Sequence, residues 1–167
     1  KLVDEFGSFA RMPSANLILT DLNSVILTQF SLFKESKIDI SWNCNIKKTS
    51  SLYILLDPQL IRQALTNLIQ NAVDVIEENL KPGSGKIVIQ TGVKNNIISL
   101  IIEDNGPGFP EDIESLTNPY VTMRKKGTGL GLSIVKRIIE EHNGKLFLGS
   151  SESKDGGAKV TIELTKE

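Results

Sequence analysis

Residues 125–131, KKGTGLG, place glycine at three alternate positions, Gly127, Gly129 and Gly131, and then turn into an amphipathic run. Glycine loses more conformational freedom on folding than any other residue, so this spacing implies that something must come close to the backbone. Ile134, Val135, Ile138 and Ile139 recur at helical spacing and Asn143-Gly144 supplies a stop, so a helix begins at or just after the glycines. Its first turn has unpaired N–H groups at the positive end of the helix dipole. Backbone from Gly127, Thr128, Gly129, Leu130, Gly131 and Leu132, with Arg124, Lys125 and Lys126 just ahead, therefore suits phosphate. Taken alone, the repeat is equally a Gly-rich hinge.

Two further runs carry chemistry. In RQALTNLIQNAVD, residues 62–74, Gln63, Asn67 and Asn71 are spaced by four and Asp74 follows one turn later, so they share a helix face. A polar stripe is ordinarily the solvent face of an amphipathic helix, but asparagine is a mediocre helix former that such a face does not need. The neutral carbonyl oxygen of Asn71 suits a magnesium ion already held by phosphates, because no carboxylate there repels them. In IIEDNGPGF, residues 101–109, an apolar strand ends in Asp104, followed by Gly106 and Gly108. The ordinary reading is a turn after an edge hairpin. A carboxylate backed by glycines also lets a flat ring approach and accepts a hydrogen bond from an exocyclic amine, which adenine has.

The elements that must position these runs follow from periodicity. Leu2, Phe6 and Phe9 lie at roughly helical spacing until Pro13, so residues 1–13 read as the tail of a longer helix and residues 14–167 as the domain proper. The absence of an initiator Met makes the chain look excised from a longer protein. A helix is expected from a cap at Asp21 to about Glu35, strands near 37–42 and 52–56, and a long helix capped by Asp57, with Pro58 at its first position, running to about Leu80. KIVIQTGV and IISLIIED are expected to pair across Asn95-Asn96, and KLFLGS and AKVTIEL across KDGG. Between them, residues 105–128 form a long aperiodic stretch of the kind that serves as a lid or binding loop. This order of elements implies an α+β fold, a two-layer sandwich of helices on an antiparallel-rich sheet.

Composition narrows the class. With 167 residues, 40% hydrophobic and 23% charged, the chain is an ordinary globular domain, and its net charge of −1 lacks the positive field of non-specific nucleic-acid binding. The lone Cys44 has no disulfide or zinc partner, and no apolar run is long enough to span a bilayer, so a reducing, cytoplasmic setting is expected without direct nucleic-acid or membrane contact. The P-loop, Rossmann and eukaryotic kinase fingerprints are missing.

NLIQNAVD, then EDNGPGF, then KGTGLGLSIV, then EEHNGKL resembles the ATP-binding domain of sensor histidine kinases, in the superfamily shared with DNA gyrase, heat-shock chaperones and mismatch-repair ATPases. The likeness covers roughly residues 20–166, and VDEFGSFARMP with NPYVTMRKKGTGLGL is similar to nitrogen-regulation kinases of NtrY type. It implies a mixed sheet with three helices on one face and ATP between helices and lid. By the same likeness Asn71 ligates Mg2+, Asp104 binds the adenine amino group, Gly106, Gly108, Gly127, Gly129 and Gly131 bracket the lid, and Tyr120 is the lid aromatic. The ATP-hydrolysing relatives carry a Glu general base where this chain has Asn67, and an amide cannot take a proton from water. Phosphoryl transfer to a partner is thus favoured over hydrolysis. The implied acceptor is a His on a dimerisation domain of the parent, of which residues 1–13 would be the C-terminal remnant of a helix; the phosphoryl group passes next to a response regulator's Asp, and the implied parent is an inner-membrane sensor. The sole His, His142, lies at a helix end where capping or packing is its expected role. A gyrase-like ATPase and an anti-sigma-type serine kinase or interaction module of the same fold are the alternatives.

Overall fold

The chain runs β1 (Ile18–Asp21), α1 (Leu22–Leu32), β2 (Asp39–Cys44), β3 (Tyr53–Leu56), α2 (Pro58–Asn79), β4 (Lys86–Lys94), β5 (Ile97–Asp104), a 3-10 turn (Glu114–Thr117), α3 (Gly131–Glu141), β6 (Lys145–Ser150) and β7 (Ala158–Thr165). A computed structural model describes residues 14–33, 38–44, 52–122, 127–152 and 156–166. The expected helix within residues 1–13, the Lys154-Asp155 portion of the last hairpin turn, and Arg124, Lys125 and Lys126 lie outside the described residues.

Five strands form one sheet in the order β2-β4-β5-β7-β6, with β2–β4 parallel and the other pairs antiparallel. Period-2 alternation turns Ile87 and Ile89 of β4, Ile98, Leu100 and Ile102 of β5, and Val160, Ile162 and Leu164 of β7 to one face, each buried. Leu65, Leu68, Ile69 and Ile76 of α2 and Val135, Ile138 and Ile139 of α3 join them in a single core. Each such side chain contributes about 1.5–3 kcal/mol by burial, and truncating a central one such as Ile89 to Ala costs about 2–5 kcal/mol. The three α-helices thus form the second layer of the α+β sandwich.

Local chemistry explains most boundaries. Asn95 (φ 51°) and Asn96 (φ 60°) both take left-handed backbone, the requirement of a two-residue hairpin turn between β4 and β5. Asp57 caps α2 by accepting from the N–H groups of Gln59 (2.9 Å) and Leu60 (3.1 Å), with Pro58 next. Three expectations change. β1 has no counterpart in the expected elements; it pairs with β3 as a separate antiparallel ribbon. α1 ends at Leu32 instead of running to about Glu35. Finally, the β4–β5 hairpin is not at an edge, because β7 pairs along the other side of β5 from Ile97↔Thr165 to Glu103↔Lys159. Asp104 therefore closes the middle strand of the sheet.

Candidate functional site

α2 is the platform on which the three runs converge. A Cβ on Gly131 would sit 3.4 Å from Asn71 Nδ2 and 3.6 Å from its Oδ1, so the start of α3 rests against the Asn71 amide. A Cβ on Gly106 would sit 3.2 Å from Val75 Cγ1, so the turn after β5 rests on the same helix four residues on. Those two contacts are about 6 Å apart along the α2 axis.

The Asp104 carboxylate is held by one oxygen. Its Oδ1 accepts from the backbone N–H of Gly106 (2.8 Å) and of Ala158 (3.2 Å). Its Oδ2 has no protein partner among the described residues. Burial pushes the Asp104 carboxyl above its ordinary range, against the opposing pull of the Gly106 and Ala158 N–H groups. Asn105 is occupied elsewhere: its side chain accepts from Lys86 N–H (2.7 Å) and donates to the Ser84 carbonyl (2.9 Å), fastening the turn to the foot of β4.

α3 begins without a cap. Leu130 precedes it in helical backbone with no side-chain cap, and the Ser133 hydroxyl donates to the Leu130 carbonyl (2.9 Å). The first N–H groups are left for another acceptor, as an anion site requires. One turn before Asn71, the NH2 of Asn67 is buried without a hydrogen-bond acceptor. Asp74 accepts from Gln70 Nε2 at 2.7 Å.

Residues 56–167 match the family described as Histidine kinase-, DNA gyrase B-, and HSP90-like ATPase. The solved catalytic domain of histidine kinase ThkA superposes with a TM-score of 0.76 at 30% identity, covering 90% of this chain and 96% of that one. The chain is a histidine kinase catalytic domain of this ATPase family. The catalytic domain is also 35% identical over its whole length to Nitrogen regulation protein NtrY of Azorhizobium caulinodans, of which it spans 22%. A solved complex of ThkA with response regulator protein TrrA matches with a TM-score of 0.79 at 28% identity, over 99% of this chain and 46% of that one.

Within the catalytic domain, the other predicted residues divide by what they can offer. Leu130 is fully buried, so it presents only backbone to a ligand, while Leu132 is half-buried against the core. Gly127 and Thr128 are half-buried. Tyr120 is 58% exposed and left-handed (φ 69°), and its N–H donates to the Gly129 carbonyl at 2.9 Å. Gly129 (φ 71°) is required there, because a Cβ would sit 2.5 Å from the Tyr120 carbonyl carbon. A cleft of about 610 Å³ on the flank of α3, lined by Asn118, Lys136, Arg137 and Glu140 among others, includes none of Asn71, Asp104 or Gly131.

His142 has the packing role expected of it. It is buried, its Nδ1 donates to the Ile138 carbonyl (2.7 Å), and its Nε2 accepts from Asp57 N–H (2.9 Å), so the ring is neutral with the proton on Nδ1. Burial opposes ionisation of Asp57, but the N–H groups of Asn16, Leu60 and Gln59 outweigh it and hold its carboxyl below the ordinary range. Sequence reasoning missed Val75, Gly157 and Ala158. The GG before AKVTIEL was the available signal, but only the fold brings it to Asp104.

Proposed function

We propose that this domain binds ATP with magnesium between α2, the turn after β5 and the start of α3, and delivers the γ-phosphoryl group to a histidine on a dimerisation domain of its parent protein. The observation that carries this reading is Asp104, pinned through Oδ1 by two backbone donors and offering Oδ2 to a ligand. Adenine's exocyclic amine is the matching donor, and the missing Cβ of Gly106 leaves the space between Asp104 Oδ1 and Val75 open. The uncapped start of α3 receives phosphate oxygens.

The donor set fits magnesium that arrives with the nucleotide. Among the described residues no group of His, Cys, Asp or Glu gathers to hold a cation alone, while the Asn71 amide lies against the first residue of α3. Asn71 would hold the ion, which when bound supplies charge neutralisation on the phosphates. The buried NH2 of Asn67 lacks an acceptor that a γ-phosphate oxygen would provide. Because an amide is no base, the site holds the γ-phosphate in line for a protein nucleophile instead of activating water. That separates this reading from a gyrase-like ATPase.

His142 is the chain's only histidine, and both its ring nitrogens are engaged in the core, so the acceptor is supplied from elsewhere in the parent. The likeness to NtrY supports a nitrogen-regulation sensor of the inner membrane as that parent, with this domain on the cytoplasmic side, and no helix among the described residues is long and apolar enough to cross a membrane. The ThkA–TrrA complex supports a response regulator receiver domain as the next acceptor. Calorimetric titration with ADP and a non-hydrolysable ATP analogue, with and without magnesium, on the wild type and on Asn71→Ala tests the site. Magnesium-dependent binding that weakens in Asn71→Ala is expected; a folded wild type that binds neither nucleotide sinks the proposal. Labelled ATP alone is expected to leave no stable phosphoamidate on this chain.

A further inference from the structure

The end of the β6–β7 connection is seated on the backbone of Asp104 and Asn105. Gly157 takes φ 112°, and a Cβ there would overlap the Asp104 carbonyl and come within 3.0 Å of Asn105 Cα. No L side chain fits that approach. Gly108, itself at φ 82°, faces the same place, since its Cβ would meet the Gly157 carbonyl oxygen at 3.3 Å. The Gly157 carbonyl accepts from Ser151 N–H at 2.9 Å. In an antiparallel ladder the neighbouring N–H then points the other way, so Ala158 N–H faces β5 and not β6. There it meets Asp104 Oδ1 at 3.2 Å.

We propose that Gly157 and the backbone N–H of Ala158 are positioning groups of the nucleotide site: the glycine admits β7 to the back of the Asp104 turn, and the N–H holds Oδ1 so that Oδ2 faces the ligand. This rests on Asp104 being the acceptor for the nucleotide's amine. Gly106 N–H alone, from the same turn, fixes the carboxylate to its own loop; Ala158 N–H fixes it to the sheet. Two donors on one oxygen also favour the carboxylate that burial opposes, so the pair offsets part of that upward push as well as orienting the group.

Ala158→Pro removes this donor and leaves the β6–β7 ladder intact, because the N–H does not serve β6 and proline is tolerated at the first residue of a strand. Ala158→Gly keeps the N–H and controls for the side chain. Three measurements on the full 167-residue chain decide the matter: ADP affinity by calorimetry, the Asp104 carboxyl titration followed by NMR without nucleotide, and the pH response of the wild-type Ala158 amide proton. In Ala158→Pro, ADP is expected to bind about tenfold more weakly and the Asp104 midpoint to move up, with Ala158→Gly like wild type. A merely structural contact would not move that midpoint. In the wild type, the Ala158 amide is expected to shift with the Asp104 titration, a readout that needs no variant to fold. A folded Ala158→Pro with unchanged ADP affinity, or an Ala158 amide blind to Asp104, overturns the proposal alone. A wild type whose Ala158 amide follows Asp104 but which binds no ADP overturns the nucleotide reading beneath it.

Discussion

The two ends of the α2–α3 pair treat the same physics in opposite ways. At one end, the N-terminus of α2 is capped by Asp57, whose own N–H is taken by His142 at the last turn of α3, and His142 in turn donates to Ile138. Every polar group named there has its partner. At the other end, α3 starts without a side-chain cap, Asn67 buries an NH2 with no acceptor, and Asp104 keeps one oxygen in reserve. Helix starts and buried polar groups are costly when unpaired, so a fold that satisfies one end and leaves the other short carries its deficit where the proposed nucleotide would make it good.

The largest effect should come from the deficient end. Asp104→Ala removes a charge-assisted acceptor worth about 1.5–3 kcal/mol, so ADP affinity is expected to fall roughly ten- to a hundredfold by calorimetry while the melting temperature stays within a few degrees. A variant that binds normally would dissolve the contrast. At the satisfied end the expectation reverses. His142→Ala strands the Asp57 N–H and opens a buried space, costing about 1–3 kcal/mol in urea unfolding, and the folded variant should still bind ADP. Asp57→Ala, losing the cap, is expected to cost about 1 kcal/mol and lower the melting temperature by roughly 2–4 °C, again with ADP affinity preserved.

The two carboxylates also titrate with opposite sign. Asp57 is held below its ordinary range, so its contribution to stability is in full above the unfolded-state value and is lost as pH falls through the lower folded value. Asp104 is pushed above its ordinary range, so stability declines as pH rises from the unfolded-state value to the raised one, where the folded carboxyl still keeps its proton. On the proposed reading nucleotide binding uses the Asp104 carboxylate, so it is expected to weaken as pH drops through that raised value, a dependence that Asp104→Asn removes. The smallest effect is expected from Gly131→Ala. Its Cβ meets Asn71 at 3.4 Å, an ordinary contact, so stability should hold while magnesium-dependent nucleotide binding weakens by a few-fold.

What could be read from sequence was local. The Asp57-Pro58 cap, the Asn95-Asn96 hairpin and the three glycine- and asparagine-bearing runs announce themselves within a few residues. β1 did not, because ILTD has meaning as a strand only against Tyr53–Leu56, more than thirty residues on. The parallel β2–β4 pairing and the arrival of β7 beside β5 are likewise long-range, and they moved Asp104 from a supposed edge to the centre. The hold of Ala158 on Asp104 was invisible for a different reason: it is made by backbone, and side-chain patterns carry no trace of it.

The chain itself enters at the satisfied end. Asn16 N–H donates to Asp57 Oδ2 at 3.0 Å and Ala15 N–H to Glu141 Oε2 at 3.4 Å, so residues 15 and 16 are tied to the start of α2 and the finish of α3. From there to Asn71 is about 20 Å of rigid helix. That makes α2 a lever arm: turning the domain by about 10° about its point of attachment sweeps Asn71 through roughly 3–4 Å at a helical rise of about 1.5 Å per residue, with no hydrogen bond inside the domain broken.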